Sequence, residues 1–317
     1  MKTYLISHQK PDLDSITCTL AYTEFLLTPQ GKDPSLGQII STRCDSINNE
    51  TSYVLSKFKI PPPALINETV IKPQDQIILL DHNEESQRMK GLNQDQIISI
   101  IDHHMAKISL PKPIRIDIRP WGSTSTIIYN YYKERSILPQ VKTLRLLLCA
   151  ILSDTLGLKS STTTPEDQKT VNEIVLKLNL SKNDLKTLTF EIFKAKSNIS
   201  NLTPPQILTN DYKVFNFPKK TFVGQVETVE PQIVLKQKPQ LLNAMKKVKK
   251  QENIDLIFLA ITDILKENTK LIYLGDEEKE VLKKAFGSRG EANVLDIGHR
   301  LSRKKEIAPP VEKALSS

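Results

Sequence analysis

The sequence predicts an α/β protein: an N-terminal domain on a parallel sheet, followed by a smaller C-terminal α/β domain. Two observations lead there. Through the first half, short continuous apolar runs alternate with helix-length stretches, the pattern of strands buried on both faces between crossover helices. The alternation then stops at a polar, proline-containing stretch and restarts, and 317 residues are more than one core usually spans.

The elements follow in chain order. "TYLIS" (3–7) reads as a strand and "SITCTLAYTEFLL" (15–27) as the helix after it. "QIILLDH" (76–82) and "IISIIDHH" (97–104) are rich in Ile and Leu and read as buried strands. "STSTIIYNYYKE" and "VKTLRLLLCAILSDT" read as helices. The pattern loosens over residues 179–205, and "KAKSNISNLTPP" (194–205) reads as a linker or hinge. The expected domains are therefore 1–194 and 206–317, with 195–205 between them. Beyond it, "YKVFNFPKKTFVGQVETV" reads as two strands around a turn. A basic helix follows, then further strands at "IDLIFLAITDI" and "TKLIYLGD".

Composition excludes several classes. The chain is 39% hydrophobic and 25% charged, as expected of a soluble globular protein. It has no apolar run of the ~18–20 residues that a membrane helix needs, and "MKTYLISHQK" is too short in its apolar part for a signal peptide. The three cysteines, Cys18, Cys44 and Cys149, are scattered, which predicts a reducing, cytoplasmic setting without disulfides or a thiolate metal site. The net charge of +8 would suit nucleic acid or a small polyanion such as a phosphate ester. The basic residues are dispersed, "KKVKK" (246–250) reads as a solvated helix face, and few aromatics lie among them. That argues against a single-strand stacking surface.

The chemistry collects at strand ends. Of five histidines, four lie in "SHQKPDLDS", "LLDHNE" and "IIDHH", each at the carboxyl end of an expected strand. Parallel sheets bind ligands just outside those ends. His8, Asp12, Asp14, Asp81, His82, Asp102, His103 and His104 should gather at one edge, and "AILSDT" adds Asp154. Imidazoles and carboxylates without thiolates suit Mn²⁺ or Co²⁺, with Zn²⁺ possible, whereas Mg²⁺ alone prefers oxygen. So many ligands can hold two metals ~3.5–4 Å apart, an arrangement that activates water for phosphoryl chemistry.

"HQKPDLDS", "LLDHNE", "IIDHH" and "AILSDT" resemble, in that order, the motifs of the DHH phosphoesterase superfamily, and within it those of family II inorganic pyrophosphatases. "GSTSTIIYNYY", "SDTLGLKSSTTTPEDQ", "FLAITDIL" and "SRKKEIAPP" extend the resemblance over nearly the whole chain. It implies a DHH domain and a DHHA2-type domain with the active site in the cleft between them, and hydrolysis of pyrophosphate with Mn²⁺ or Co²⁺ on the protein and Mg²⁺ with the substrate. By resemblance, His8 and Asp12 hold one metal and Asp14, His103 and Asp154 the second, with Asp81 bridging. His104 faces the substrate as phosphate ligand or proton donor. Arg303, Lys304 and Lys213 clamp phosphate, and His82 and Asp102 orient ligands. A cytoplasmic homodimer is implied. A related exopolyphosphatase, or another DHH phosphohydrolase acting on short polyphosphate or nucleotides, is the alternative.

Some positions depart from the family pattern. Lys10 and Leu13 stand where Asn and Thr are usual, Gly157 and Leu158 replace larger apolar residues, and Glu306 follows "SRKK" in place of Gln. The acid at 306 is expected either to weaken anion binding or to pair with a neighbouring base. His299 has no role in the pattern.

Overall fold

The computed structural model describes residues 1–199, 202–287 and 290–316. The chain divides into two compact units, Met1–Ala195 and Lys196–Ser317.

The first unit is a parallel sheet with helices. Its strands are β1 (Lys2–Ile6), β2 (Gln38–Arg43), β3 (Ala64–Leu65), β4 (Gln76–Leu80), β5 (Ile97–Asp102) and β6 (Arg115–Ile118). Among the described residues they run in the order β3-β2-β1-β4-β5-β6, every pairing parallel. The helices are α1 (Leu13–Leu27), α2 (Asn49–Lys57), α3 (Thr124–Glu134), α4 (Val141–Asp154), α5 (Pro165–Lys177) and α6 (Lys182–Lys196).

Strand geometry sorts the apolar run of each central strand onto two faces. Leu5, Ile78, Leu80 and Ile101 join one core with α1 to α5. Tyr4, Ile6, Ile77, Leu79 and Ile100 join another, closed by loop residues such as Ile66 and Met89. Each fully buried Leu or Ile contributes about 1.5–3 kcal/mol, so β1, β4 and β5 anchor the sheet.

The strands read from apolar runs are present. β2 and β6 carry no such run: "QIISTR" and "RIDI" are mostly half-exposed, and their pairing comes from the neighbouring strand. The stretch where the pattern loosens contains α6, which buries only Leu188, Ile192 and Phe193. So narrow a stripe leaves little periodicity to read. The expected linker begins inside α6 and runs to α7 (Pro204–Thr209). Its residues 200 and 201 lie outside the described residues.

The second unit has strands β7 (Tyr212–Asn216), β8 (Lys220–Thr228), β9 (Leu256–Asp263), β10 (Asn268–Tyr273) and β11 (Val294–Gly298), in the order β11-β10-β9-β8-β7. Only β8 and β9 pair in parallel among them; the rest are antiparallel. All of β9 is buried. Ile257, Leu259 and Ile261 face a core that includes Val234 of α8 (Pro231–Lys236) and Leu241 of α9 (Lys238–Gln251). Leu256, Phe258 and Ala260 face the opposite core, with Leu282 of α10 (Asp276–Phe286) and Val311 of α11 (Ala308–Ser316).

Candidate active site

The strand order makes the crevice. The chain leaves β1 toward β2 and leaves β4 toward β5, in opposite directions across the sheet. At such a switch point the carboxyl ends of adjacent strands open a binding crevice. His8 and Asp12 lie on the turn from β1 into α1, Asp81 directly follows β4, and His103 and His104 directly follow β5.

Asp81 occupies the middle. Its backbone is left-handed, with φ 64°, a region that Asp and Asn enter more readily than most residues. Its N–H still donates to the Ile101 carbonyl at 2.9 Å, so the kink begins within the sheet. Oδ1 accepts from the Thr124 hydroxyl at 2.7 Å. Oδ2 is buried and has no hydrogen-bond partner among the described residues.

Two imidazoles face this carboxylate. His8 Nε2 is 3.7 Å from Asp81 Oδ2, and His103 Nε2 is 3.6 Å from Oδ1. The opposite ring nitrogens are engaged: His8 Nδ1 lies 2.7 Å from the Gln9 carbonyl, and His103 Nδ1 lies 3.0 Å from that of Trp121. A carbonyl only accepts, so Nδ1 carries the hydrogen and the neutral ring presents a lone pair at Nε2. Lone pairs then face a carboxylate, an arrangement that a cation between them satisfies.

The ligand atoms form three overlapping groups. His8, Asp12 and Asp81 have donor atoms within 4.8 Å of one another, as do Asp14, His103 and Asp154, and also Asp81, His103 and His104. Asp12 caps α1, accepting from the Ser15 N–H at 2.9 Å. Asp14 is fully buried and accepts from the backbone N–H groups of Thr124 and Ser125 at 2.7 and 3.0 Å. An orphaned buried carboxylate oxygen and a nitrogen–oxygen donor set without thiolate fit one or two divalent metals of the Mn²⁺ class.

The electrostatics agree. Burial pushes the Asp81 carboxyl well above its ordinary pKa, and Asp14, Asp12, Asp154 and Asp102 push it further. Burial opposes charge on His8, but the hydrogen bond and charge of Asp12 outweigh it, so its pKa is raised. The hydrogen bond to Asp102 raises that of His104, against burial.

Asp102 orients His104. Its Oδ1 lies 2.8 Å from His104 Nδ1 and accepts from the backbone of His103 and His104. Its Oδ2 accepts from Asn83. Burial works against the Asp102 anion, yet the bonds from His104 and Asn83 hold its pKa below the ordinary value. His82 packs edge-on against His8, with ring centroids 6.1 Å apart. It is fully buried, its Nδ1 lies 2.9 Å from the Leu80 carbonyl, and burial lowers its pKa to about 4.

Comparison with known proteins places this geometry. The model of the DHH family N-terminal domain matches residues 2–151, and that of the DHHA2 domain matches 190–314. A manganese-dependent inorganic pyrophosphatase of Methanothrix thermoacetophila is 35% identical over 314 residues, 98% of this chain and 97% of the relative. The chain belongs to the family II inorganic pyrophosphatases. Another family member, from Methanocaldococcus jannaschii, also named a manganese-dependent inorganic pyrophosphatase, is 34% identical and covers 98% of each chain. A crystal structure of a Methanococcus jannaschii protein assigned to family II inorganic pyrophosphatases is 34% identical, with a TM-score of 0.64, over 99% of this chain and all of that one.

The cations that family resemblance assigns to phosphate lie in the second unit. Arg303 opens a π-helical turn, Arg303–Ile307. Its Nη2 donates to Asp211 at 2.7 Å, and its Nε is buried without a partner among the described residues. Lys304 is exposed. Lys213 on β7 pairs across the ladder from Val223, whose carbonyl lies 3.5 Å from Arg303 Nη1. Lys213 Nζ lies 5.2 Å from the centre of the Phe215 ring.

The departures also find places. Glu306 accepts from the N–H groups of Leu301 and Ser302 at 2.9 and 2.8 Å. The acid thus closes the SRKK turn on its own backbone. Lys10 has φ 51° and donates its N–H to Asp45. Leu13 is a core residue at the start of α1. Gly157 lies between Leu156 and Leu158 in a run of three left-handed residues, where a glycine relieves strain. His299 is exposed, with Nδ1 3.1 Å from the Glu267 carbonyl.

Sequence reasoning missed the groups that hold the candidate site residues: Thr124, Ser125, the Trp121 carbonyl, Asn83 and Asp211. The available signal was "GSTSTIIYNYY", whose Ser123 caps α3.

Proposed function

We propose that the chain hydrolyses inorganic pyrophosphate to two phosphates at a two-metal centre held by His8, Asp12, Asp14, Asp81, His103 and Asp154. The observation that carries this reading is the Asp81 carboxylate, buried between two imidazole Nε2 atoms with one oxygen unpartnered. When bound, two divalent cations would neutralise phosphate charge and make a nucleophile available from water near neutral pH. The protein groups do the rest. His8 and His103 are held in the tautomer that presents Nε2, and Asp14 is fixed by two backbone N–H groups. His104, whose Nδ1 is held by Asp102, would bind the substrate or give a proton to the departing phosphate. Arg303, Lys304 and Lys213 supply cationic charge for the phosphate oxygens, Arg303 as a planar fork and the lysines as point charges.

Manganese is the cofactor named for the relatives. Cobalt meets the same donor set, and Mg²⁺ would accompany the substrate. A homodimer and a cytoplasmic setting complete the reading. The three free cysteines support a reducing compartment. Among the described residues no helix is long and apolar enough to cross a membrane.

The test is phosphate release from pyrophosphate, tripolyphosphate and a nucleoside triphosphate, with Mn²⁺, Co²⁺ or Mg²⁺ and after chelation. Fast release from pyrophosphate that chelation abolishes is expected. Preference for tripolyphosphate would reassign the chain as a polyphosphatase, and metal binding without hydrolysis would overturn the reading.

A further inference from the structure

We propose that Asp167, on the first turn of α5, is a positioning residue for the metal centre. This rests on the metal reading of that centre. Asp167 ligates nothing itself; it acts through the segment 121–126.

That segment supports three of the expected ligands. The Trp121 carbonyl lies against His103 Nδ1, Thr124 and Ser125 donate backbone N–H groups to Asp14, and the Thr124 hydroxyl donates to Asp81. A shift of the segment would therefore move groups on both sides of the centre together. Asp167 pins it at two points. Its Oδ2 accepts from the Gly122 N–H at 2.8 Å, and its Oδ1 accepts from the Thr126 hydroxyl at 2.6 Å. The same Oδ2 accepts from the N–H and hydroxyl of Thr164, the cap of α5. Asp167 is fully buried, and all these partners are donors, so the carboxylate is satisfied without a base.

The fit is close. A Cβ on Gly122 would come within 2.6 Å of Asp167 Oδ2 and 2.8 Å of Thr155 Cγ2. Thr155 directly follows the expected ligand Asp154, so the same crowding ties the pinned segment to the end of α4. A capping-box carboxylate at this position needs only the Thr164 cap of its own helix. The bonds to Gly122 and Thr126 lie outside that role and point toward the ligands.

The experiment is Mn²⁺ binding to the metal-free full chain, read by the electron paramagnetic resonance of free Mn²⁺, alongside thermal melting. Partners that orient metal ligands typically change affinity about 10- to 100-fold when lost. Asp167→Asn keeps the shape but sets an amide against donors, and it should weaken Mn²⁺ binding by about that factor. Thr126→Val removes one pin and should act in the same direction with smaller effect. Val171→Ala, a cavity on the same helix in the buried core, should lower the melting temperature and leave Mn²⁺ affinity unchanged. Wild-type affinity in Asp167→Asn, or in Thr126→Val where Asp167→Asn does not fold, would overturn the proposal. So would an equal loss in Val171→Ala. Failure of the wild-type chain to bind Mn²⁺ would overturn the metal reading and this inference together.

Discussion

The two units collect opposite charge by opposite means. In the first, Asp81 and Asp14 are buried, and backbone N–H groups, a hydroxyl and carbonyl-locked imidazoles hold the surroundings in place. In the second, Lys213 and Lys304 are exposed, and Arg303 bonds to an exposed aspartate. Burial and the neighbouring carboxylates raise the proton affinity of Asp81, and a cation beside it favours the anion instead. Exposed cations are stable without a ligand and can wait for one. The first region is held in place by its own hydrogen bonds, whereas the second leaves its two lysines in water and anchors Arg303 on an aspartate.

The largest expected effect breaks the first region. Asp81→Asn should abolish tight Mn²⁺ binding and lower pyrophosphate turnover by at least about 10³-fold, measured by metal titration and phosphate release. It should also raise the melting temperature of the metal-free chain by a few degrees at neutral pH, because it removes a buried group that resists ionisation. A lowered melting temperature would contradict the electrostatic account.

Next comes Arg303→Lys, which keeps the charge and loses the fork. It should reduce kcat/KM for pyrophosphate by about 10–100-fold, mostly through KM, with Mn²⁺ affinity unchanged. Steady-state kinetics and metal titration together separate the two regions. A change in metal affinity would show that they are not independent.

The pH dependence sharpens the contrast further. His8 and His104 have raised pKa values in the fold, so their stabilisation is full below the ordinary value of about 6.5 and is lost as pH rises through the folded values. Asp81 acts in the same direction, since the fold holds its proton more tightly than the unfolded chain. The metal-free chain should therefore melt lower at about pH 8 than at about pH 6.5. His82 acts oppositely: with its pKa lowered to about 4, it costs stability as pH falls from about 6.5. Saturating Mn²⁺ should remove the loss at high pH, because protons no longer compete for the ligands. Differential scanning calorimetry with and without metal is the measurement.

The smallest effect is expected at Glu306→Gln. The amide oxygen can still accept from Leu301 and Ser302, so stability should fall by no more than about 1 kcal/mol and kcat should stay within a few-fold. A large loss of pyrophosphate affinity would mean that the acid does more than close the turn.

Much of this was legible in the sequence, for physical reasons. β1, β4 and β5 are buried on both faces, so each had to be a continuous apolar run, and each ends in a candidate ligand. β2, β6 and α6 bury too little to leave a pattern. The strand order was not legible either, because periodicity shows which residues are buried but not which strand lies beside β1. The supports were hidden for another reason. Thr124, Ser125 and Asp167 look like ordinary first-turn residues of capped helices, and only the tertiary structure shows that some of their bonds reach beyond their own helices.

The left-handed backbone at Asp81 has a consequence for how this position can change. A β-branched or bulky side chain there would be strained, and glycine would fit but bring no ligand. Glutamate carries the right charge but is poorly suited to the conformation, and its extra methylene would displace a carboxylate whose surroundings are already set. The neighbouring sequence space is therefore nearly empty. A single base change away from Asp, only Asn is both comfortable in this backbone and close in shape, and it lacks the charge. A lineage could lose the proposed metal centre through this position in one step, but it would have few neutral routes by which to redesign it.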